Sequence, residues 1–89
     1  MTKIACIGEV MVELSLQTAE TAQIGIAGDT YNTAVYLAHL LRGRAEVHYV
    51  TALGQDAFSD RILSHMQHHG IAQSFVARHP TKTPGLYAI

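Results

Sequence analysis

The segment IAGDTYN, residues 26–32, brings together residue types that can bind a polar ligand. Gly28 has no side chain, so a ligand can approach the backbone closely there. Asp29 offers a carboxylate acceptor, and Asn32 offers an amide that both donates and accepts hydrogen bonds. An apolar helical pattern follows, and the free N–H groups of a first helical turn can donate to ligand oxygens. This combination suits a polyhydroxylated ligand such as a sugar.

The same residues also fit an ordinary helix start. Asp29 or Thr30 is of a type that caps helix N-termini. The Cβ bonds of a helix tilt toward its N-terminus, so Asn32 can lean back toward Asp29 and bond locally. The residues alone leave the binding surface and the capped helix as two open interpretations.

Other local chemistry is poorly supported. No second glycine of a dinucleotide-binding fingerprint follows Gly8, and no phosphate-binding P-loop sequence occurs. His65 and His69 are four residues apart, but Met66 stands where a zinc protease motif has glutamate. We therefore interpret these histidines as polar residues of a helix end. Cys6 lies in an apolar run with no base nearby, which indicates a core thiol.

The composition excludes several classes of protein. Of the 89 residues, 48% are hydrophobic and 15% charged, and the formal net charge is −1. A nucleic-acid binder would show a basic patch or stripe. The apolar runs are too short for a membrane span, and the N-terminus lacks the pattern of a signal peptide. A single cysteine fits a reducing compartment, so we expect a cytoplasmic protein with no nucleic-acid or membrane partner.

Strands and helices alternate along the predicted chain. KIACIG is nearly continuously apolar, which predicts a strand buried on both faces. VMVELSL alternates, which predicts a strand with one covered face. A short strand in IGIAG would pair back on it and form a small flap. The strands are predicted over 3–8, 10–16, 24–28, 46–52 and 74–79, with another begun by LYAI at 86.

Two helices complete the pattern. The first follows Gly28, and its apolar positions recur from Tyr31 to Leu41, with Gly43 closing it. The second is capped by Asp56 and ends at Gly70. Its predicted buried stripe consists of Phe58, Ile62, Leu63 and Met66.

This alternation predicts an α/β fold with a parallel sheet and right-handed crossovers. Three parallel strands and two helices would leave much of the sheet uncovered. We therefore expect residues 1–89 to be the N-terminal piece of a longer protein.

Four segments together resemble a known family. IGEVMVELS, AGDTYNTAVYLA, YVTALGQDAFS and PGLYAI are similar, in order and spacing, to the start of the ribokinase-like (PfkB) sugar kinases. The resemblance covers essentially the whole chain and is strongest to family members that act on 2-keto-3-deoxygluconate. It implies a central parallel sheet with flanking helices and a small β lid, formed by residues around 10–26 and from 86 onward.

The resemblance also implies an activity. The reaction would be ATP-dependent phosphorylation of the sugar acid 2-keto-3-deoxygluconate at its terminal hydroxyl, with ATP and Mg as cofactors of the full-length enzyme. Homodimerisation through the lid is implied as well. Fructokinase and ketogluconate kinase activities remain alternatives within the family. A truncated, non-catalytic interaction module is an alternative outside it.

Site residues follow from the resemblance position by position. The substrate would be bound by Gly28, Asp29, Thr30, Tyr31, Asn32 and, from the lid, Tyr87. Glu9 is a weaker candidate for the same pocket. Ala27 replaces a second glycine common in relatives, and Tyr31 replaces an aliphatic residue.

The family's second motif, glycine-alanine-glycine-aspartate, does not occur in residues 1–89. Its aspartate is the expected general base, so no catalytic, ATP-binding or metal-binding residue is assigned here. We expect these 89 residues alone to be inactive, because phosphoryl transfer depends on positioning by groups that they lack.

Overall fold

The computed structural model describes all of residues 1–89 and contains six strands and two helices. The strands are β1 (Thr2–Ile7), β2 (Met11–Leu16), β3 (Ala22–Ala27), β4 (Ala45–Leu53), β5 (Val76–Arg78) and β6 (Gly85–Ala88). The helices are α1 (Asp29–Leu40) and α2 (Ala57–His68). The strands form two separate three-stranded sheets, and no helix is long and apolar enough to cross a membrane.

The first sheet, which we call the parallel sheet, has the strand order β1-β4-β5. Both of its strand pairs are parallel, with Thr2 opposite Ala45 and Thr51 opposite Val76. Each pair is connected through a helix. The predicted βαβαβ pattern is therefore confirmed, and α1 and α2 are its two crossovers.

The prediction that the first strand is buried on both faces is wrong. Ile4 and Cys6 are half-buried and turn toward the core, and burial raises the pKa of the Cys6 thiol. Lys3, Ala5 and Ile7 are exposed, with Ile7 at 72%. β1 is an edge strand, and no element of residues 1–89 packs on its second face. Cys6 is consequently a half-buried thiol at the margin of the core.

The second sheet, which we call the mixed sheet, has the order β3-β2-β6. β2 and β3 form an antiparallel hairpin, and β6 adds to the other edge of β2 in parallel. Val12 and Leu14 of β2 face the core with Ile24 and Ile26 of β3. The predicted flap and its additional strand in LYAI are therefore confirmed.

The core lies between the helices and the two sheets. Tyr31, Ala34 and Ala38 form the buried face of α1, as the periodicity predicts. In α2 the buried stripe is narrower than predicted, because Phe58 is 37% exposed and Leu63 only half-buried. The buried cluster consists of Val10, Val12, Tyr31, Ala34, Ala38, Val47, Tyr49, Leu53, Ile62, Met66 and Ile71.

The two helices begin differently. The Asp56 carboxylate caps α2 by accepting from the backbone N–H groups of Phe58 and Ser59, as predicted. α1 begins after Gly28 without any side-chain cap. The prediction that Asp29 or Thr30 caps α1 is wrong, because both residues already lie inside the helix.

Candidate functional site

The β1–β2 connection is held tightly against the start of α1. The Tyr49 hydroxyl donates to the Glu9 carbonyl at 3.0 Å. A Cβ on Gly28 would lie 2.7 Å from that same carbonyl oxygen, and a Cβ on Gly8 would lie 2.8 Å from the Thr30 Cβ. Glycine is therefore required at both positions, because any side chain would push the connection away from the helix.

The N-terminus of α1 keeps free hydrogen-bonding capacity. Gly28 has φ 133°, a conformation that residues with a Cβ rarely adopt. Asn32 is the first residue whose N–H bonds back along the chain, to the Gly28 carbonyl at 2.7 Å. No side chain accepts from the N–H groups of the first turn. These donors, with the positive end of the helix dipole, suit ligand oxygens.

Two of the predicted site residues are exposed beside these donors. Asp29 and Asn32 both lie on the surface, and neither side chain hydrogen-bonds within the chain. Asn32 therefore does not bond to Asp29, which was the alternative that the sequence left open. Their carboxylate and amide remain available to a ligand.

Tyr31 faces the opposite way. Its side chain is fully buried, and its hydroxyl is 2.6 Å from His65 Nδ1 in α2. The ring packs edge-on against Tyr49 at a centroid distance of 5.3 Å. Burial, and secondarily Tyr49, raise the pKa of the Tyr31 phenol. Tyr31 thus ties the first turn of α1 to the core and presents no surface to a ligand in this structure.

Tyr87 approaches from the mixed sheet. Its hydroxyl donates to Glu13 Oε1 on the neighbouring strand at 2.7 Å. This hydrogen bond is the main cause of a raised pKa of the Tyr87 phenol, and the negative charge of Asp29 also contributes. The start of α1 follows β3 of the mixed sheet directly, and Ala27 at the end of β3 shares its row across the sheet with Met11 and with Gly85, two residues before Tyr87. The helix start therefore adjoins the end of the mixed sheet at which β6 begins.

Glu9 lies at the edge of this region. The residue is exposed, and its Oε1 is 3.7 Å from the position that a Cβ on Gly85 would occupy. Gly85 is two residues before Tyr87 and so projects from the same face of β6. The structure therefore places Glu9 near the other candidates.

The histidines form a network that the sequence did not reveal. His39 in α1 has its Nε2 2.9 Å from His69 Nδ1. The ring of His69 lies 4.4 Å from that of His65, centroid to centroid. No group of three or more metal-ligating side chains is arranged to hold a metal ion. The spacing of the histidines in and after α2 cannot predict that His69 contacts His39 of α1.

Two surface clefts occur on the chain, and neither contains the predicted site residues. The one between β3 and α2 has a volume of about 420 Å³ and includes Gly25, Arg61, His65 and His68. The candidate site is instead an open surface where α1 begins.

Comparisons with known proteins place this geometry in a family. The model of the pfkB family carbohydrate kinases matches residues 1–89. The chain belongs to this family. The 2-dehydro-3-deoxygluconokinases of Dickeya dadantii and Escherichia coli K12 are each 46% identical to it, over 97% and 98% of the chain. The chain spans about 28% of the length of these relatives.

Solved structures agree on the ribokinase-like fold. The 2-dehydro-3-deoxygluconokinase of Thermotoga maritima matches 99% of the chain with a TM-score of 0.87 and 22% identity. A fructokinase of Xylella fastidiosa with bound ATP matches 97% with a TM-score of 0.86 and 28% identity. The chain covers 28% and 26% of these two structures. The resemblance noted from the sequence motifs is thereby confirmed for family and fold.

Sequence reasoning missed two residues of the site. Glu13 accepts the hydrogen bond of the Tyr87 hydroxyl, and Gly8, which has no side chain, leaves room for the Thr30 side chain. Glu13 carried a usable signal, because it is the only charged residue of the alternating strand β2. Gly8 carried none, since the close approach depends on tertiary packing.

Proposed function

We propose that residues 1–89 are the N-terminal, substrate-binding part of an ATP-dependent 2-keto-3-deoxygluconate kinase. The product would be 2-keto-3-deoxy-6-phosphogluconate. The observation that supports this most directly is the uncapped start of α1, where Asp29, Asn32 and free N–H groups are exposed beside the mixed sheet that carries Tyr87. The relatives that carry this activity in their names are similar over nearly the whole chain.

Each proposed site residue has a distinct role. The backbone at Gly28 and the first turn of α1 donates hydrogen bonds to sugar oxygens, and Asp29 accepts from sugar hydroxyls. Asn32 does both. Thr30 fixes the helix against Gly8, and Tyr31 anchors the first turn from inside the core.

The mixed sheet completes the proposed site as a lid. Tyr87 contacts the sugar from this sheet, and Glu9 borders the pocket. Enclosure between the lid and the helix start would exclude water and orient the hydroxyl that receives the phosphoryl group. The lid also supports the proposal of a homodimer, because Leu16 and Leu86 leave it partly apolar on its exposed surface.

The chemical step belongs to residues outside this chain. The Mg that accompanies ATP would be held outside residues 1–89 as well. The general-base aspartate is proposed to lie there too. When bound, ATP with Mg supplies the phosphoryl group, and this part of the chain holds the acceptor sugar. We place the enzyme in the cytoplasm, where ATP and sugar acids meet.

A coupled assay of ATP consumption on the full-length protein tests the proposal. The gene is first read beyond codon 89 for the glycine-alanine-glycine-aspartate motif. The full-length protein is then assayed with 2-keto-3-deoxygluconate, 2-ketogluconate and fructose. We expect the highest kcat/KM with 2-keto-3-deoxygluconate. Preference for fructose would favour a fructokinase, which the Xylella fastidiosa likeness makes the second candidate. A stop codon directly after codon 89 would favour a non-catalytic module.

A further inference from the structure

Glu13 is a carboxylate whose only hydrogen-bond partner is a tyrosine. It is the central member of a row across the mixed sheet, opposite Gly25 on β3 and Tyr87 on β6. Directly opposite residues project from the same face, so the three form one line. Its Oε1 accepts from Tyr87, and its Oε2 lies 3.5 Å from the position that a Cβ on Gly25 would occupy.

No cation neutralises Glu13. The two ion pairs of the chain join His48 to Glu46 and Arg78 to Asp60, and neither includes it. A partly buried carboxylate is stabilised by hydrogen bonds, and the Tyr87 hydroxyl is the only donor to the Glu13 side chain. Its structural contribution is to hold one phenol hydroxyl, that of Tyr87.

The direction of the hydrogen bond determines what Tyr87 can do. A phenol has one hydrogen, and a carboxylate has none to give. In the 2.7 Å contact the Tyr87 hydrogen therefore points to Glu13, and only the oxygen lone pairs are left for a ligand. We propose that Glu13 is a positioning residue that makes Tyr87 a hydrogen-bond acceptor, so that Tyr87 binds a hydroxyl of the sugar acid and not its carboxylate.

The charges around Tyr87 support this orientation of the substrate. Glu9 and Glu13 lie beside β6, and Asp29 follows the end of β3; none of the three pairs with lysine or arginine. A carboxylate has no hydrogen to give to these acceptors and would be repelled by them. Sugar hydroxyls can donate to all of them. The sugar acid is therefore bound with its hydroxyl chain toward this part of the site and its carboxylate away from it.

This inference rests on the proposed sugar-acid kinase activity, and a mutant cycle in the full-length kinase tests it. Glu13→Ala, Tyr87→Phe and the double variant are compared with wild type. We expect each single variant to raise KM for the sugar acid about tenfold and to leave kcat within about twofold. The double variant should be no worse than Tyr87→Phe, because Glu13 acts through Tyr87. Additive losses, or an unchanged KM in Glu13→Ala, would overturn the inference.

Two matched variants separate positioning from charge and from folding. Glu13→Gln keeps a carbonyl that can accept from Tyr87, so its KM should stay within about threefold of wild type. A KM as high as that of Glu13→Ala would assign the effect to charge and refute the positioning role. Glu20→Ala, in the exposed turn of the same hairpin, should behave as wild type.

The methyl ester of 2-keto-3-deoxygluconate tests which group Tyr87 binds. The ester keeps every hydroxyl and loses the charge, and its affinity is measured as a competitive inhibition constant. Tyr87→Phe should weaken ester and acid by the same factor. A loss seen with the acid alone would show that Tyr87 contacts the carboxylate.

A readout without turnover distinguishes failure of this inference from failure of the proposed function. The Tyr87 phenol is titrated by ¹³Cζ nuclear magnetic resonance in the ligand-free protein and assigned with Tyr87→Phe. Glu13→Ala should lower the pKa of Tyr87, because it removes the acceptor that raises it. An unchanged titration refutes the inference even if wild type phosphorylates the sugar acid. A wild type inactive on that substrate refutes the proposed function, whatever the titration shows.

Discussion

The two helices of this chain start in opposite ways. At α2, the Asp56 carboxylate accepts from the Phe58 and Ser59 N–H groups, and also from the Ser59 hydroxyl at 2.6 Å. The Ser59 hydroxyl in turn accepts from the Gly54 N–H at 2.8 Å. These contacts lower the pKa of Asp56, with the Ser59 hydrogen bond as the main cause. The Asp56 carboxylate and the Ser59 hydroxyl are thus occupied by the fold itself.

At α1 the equivalent polar groups are left free. Gly28 supplies no cap, and Asp29 and Asn32 point into solvent. A cap contributes about 1 kcal/mol to stability, so an uncapped start gives up that stabilisation. A helix start rich in polar residues can therefore serve as a binding surface only where those residues are not already hydrogen-bonded within the chain. Substitutions at each helix start test this distinction.

The largest effect is expected at Gly28. In the full-length protein, Gly28→Ala should lower the free energy of unfolding by at least about 2 kcal/mol, because it combines a strained φ with a 2.7 Å contact to the Glu9 carbonyl. Chemical denaturation measures this. Gly43→Ala is the matched control, since Gly43 also has positive φ, 82°, but no atom within 4 Å. Gly43→Ala should lower the free energy of unfolding by about 1 kcal/mol. Equal losses at the two glycines would show that the close approach does not matter.

Asn32→Ala addresses the free helix start directly. We expect sugar binding to weaken by about 1–3 kcal/mol, because buried ligand oxygens would lose a partner. Stability should change little, since the Asn32 side chain makes no hydrogen bond within the chain. Calorimetric titration with the sugar acid measures the affinity. The neighbouring exposed Thr33→Ala is the control, and unchanged affinity in Asn32→Ala would remove Asn32 from the site.

Asp56→Ala should show the reverse pattern. Losing the cap should reduce the free energy of unfolding by about 1–2 kcal/mol, with the KM for sugar unchanged. Asp60→Ala in the same helical turn is the control, because its exposed ion pair with Arg78 contributes about 0–1 kcal/mol. A raised KM in Asp56→Ala would contradict the division of roles between the two helix starts.

The smallest effect is expected at His65 of α2, which contacts the Tyr31 hydroxyl of α1. Burial, and secondarily His69 and His68, lower the pKa of His65 below its unfolded value of about 6.5. The unfolded chain then binds more protons than the folded one. The associated stability is present above about pH 6.5 and is lost as the pH falls through the lowered pKa.

Unfolding measured from pH 7.5 to 5 should show this decline, with a contribution from His65 of no more than about 1 kcal/mol after solvent screening. His39 from α1 contacts His69, and Arg61 from α2 lines the same cleft as His65. His65→Gln keeps a partner for the Tyr31 hydroxyl and cannot become charged. In this variant the free energy of unfolding should fall less as the pH is lowered. A pH profile identical to that of wild type would exclude His65 as a cause.

Most of the fold could be predicted from the sequence, because it is visible in local patterns of alternation and helical spacing. Alternation in VMVELSL and helical spacing after Tyr31 reflect which faces are covered, and the structure confirms both. The first strand was misjudged because an apolar run such as KIACIG predicts that both faces are covered, and within residues 1–89 only one face of β1 is covered. The cap at α1 was misjudged because Asp29 has the right residue type but lies one position too far along the chain.

The site was only partly predictable for a related reason. Asp29 and Asn32 stand next to a glycine in one short segment, so their polar chemistry is visible in the sequence. Burial of Tyr31 and the role of Glu13 depend on partners in distant segments, His65 and Tyr87. Propensities and short motifs contain no information on such pairs.

The order of strands in the mixed sheet has a consequence for how the protein folds during synthesis. The β2–β3 hairpin closes a short loop and can form early, but Glu13 and Tyr87 are 74 residues apart. Pairing over that distance is slow, because the entropy of closing a long loop is lost before any contact compensates it. Until residues 85–88 leave the ribosome, one edge of β2 stays open to strands of other nascent chains. Cotranslational folding is therefore most exposed to misassociation at the strand that later carries Glu13.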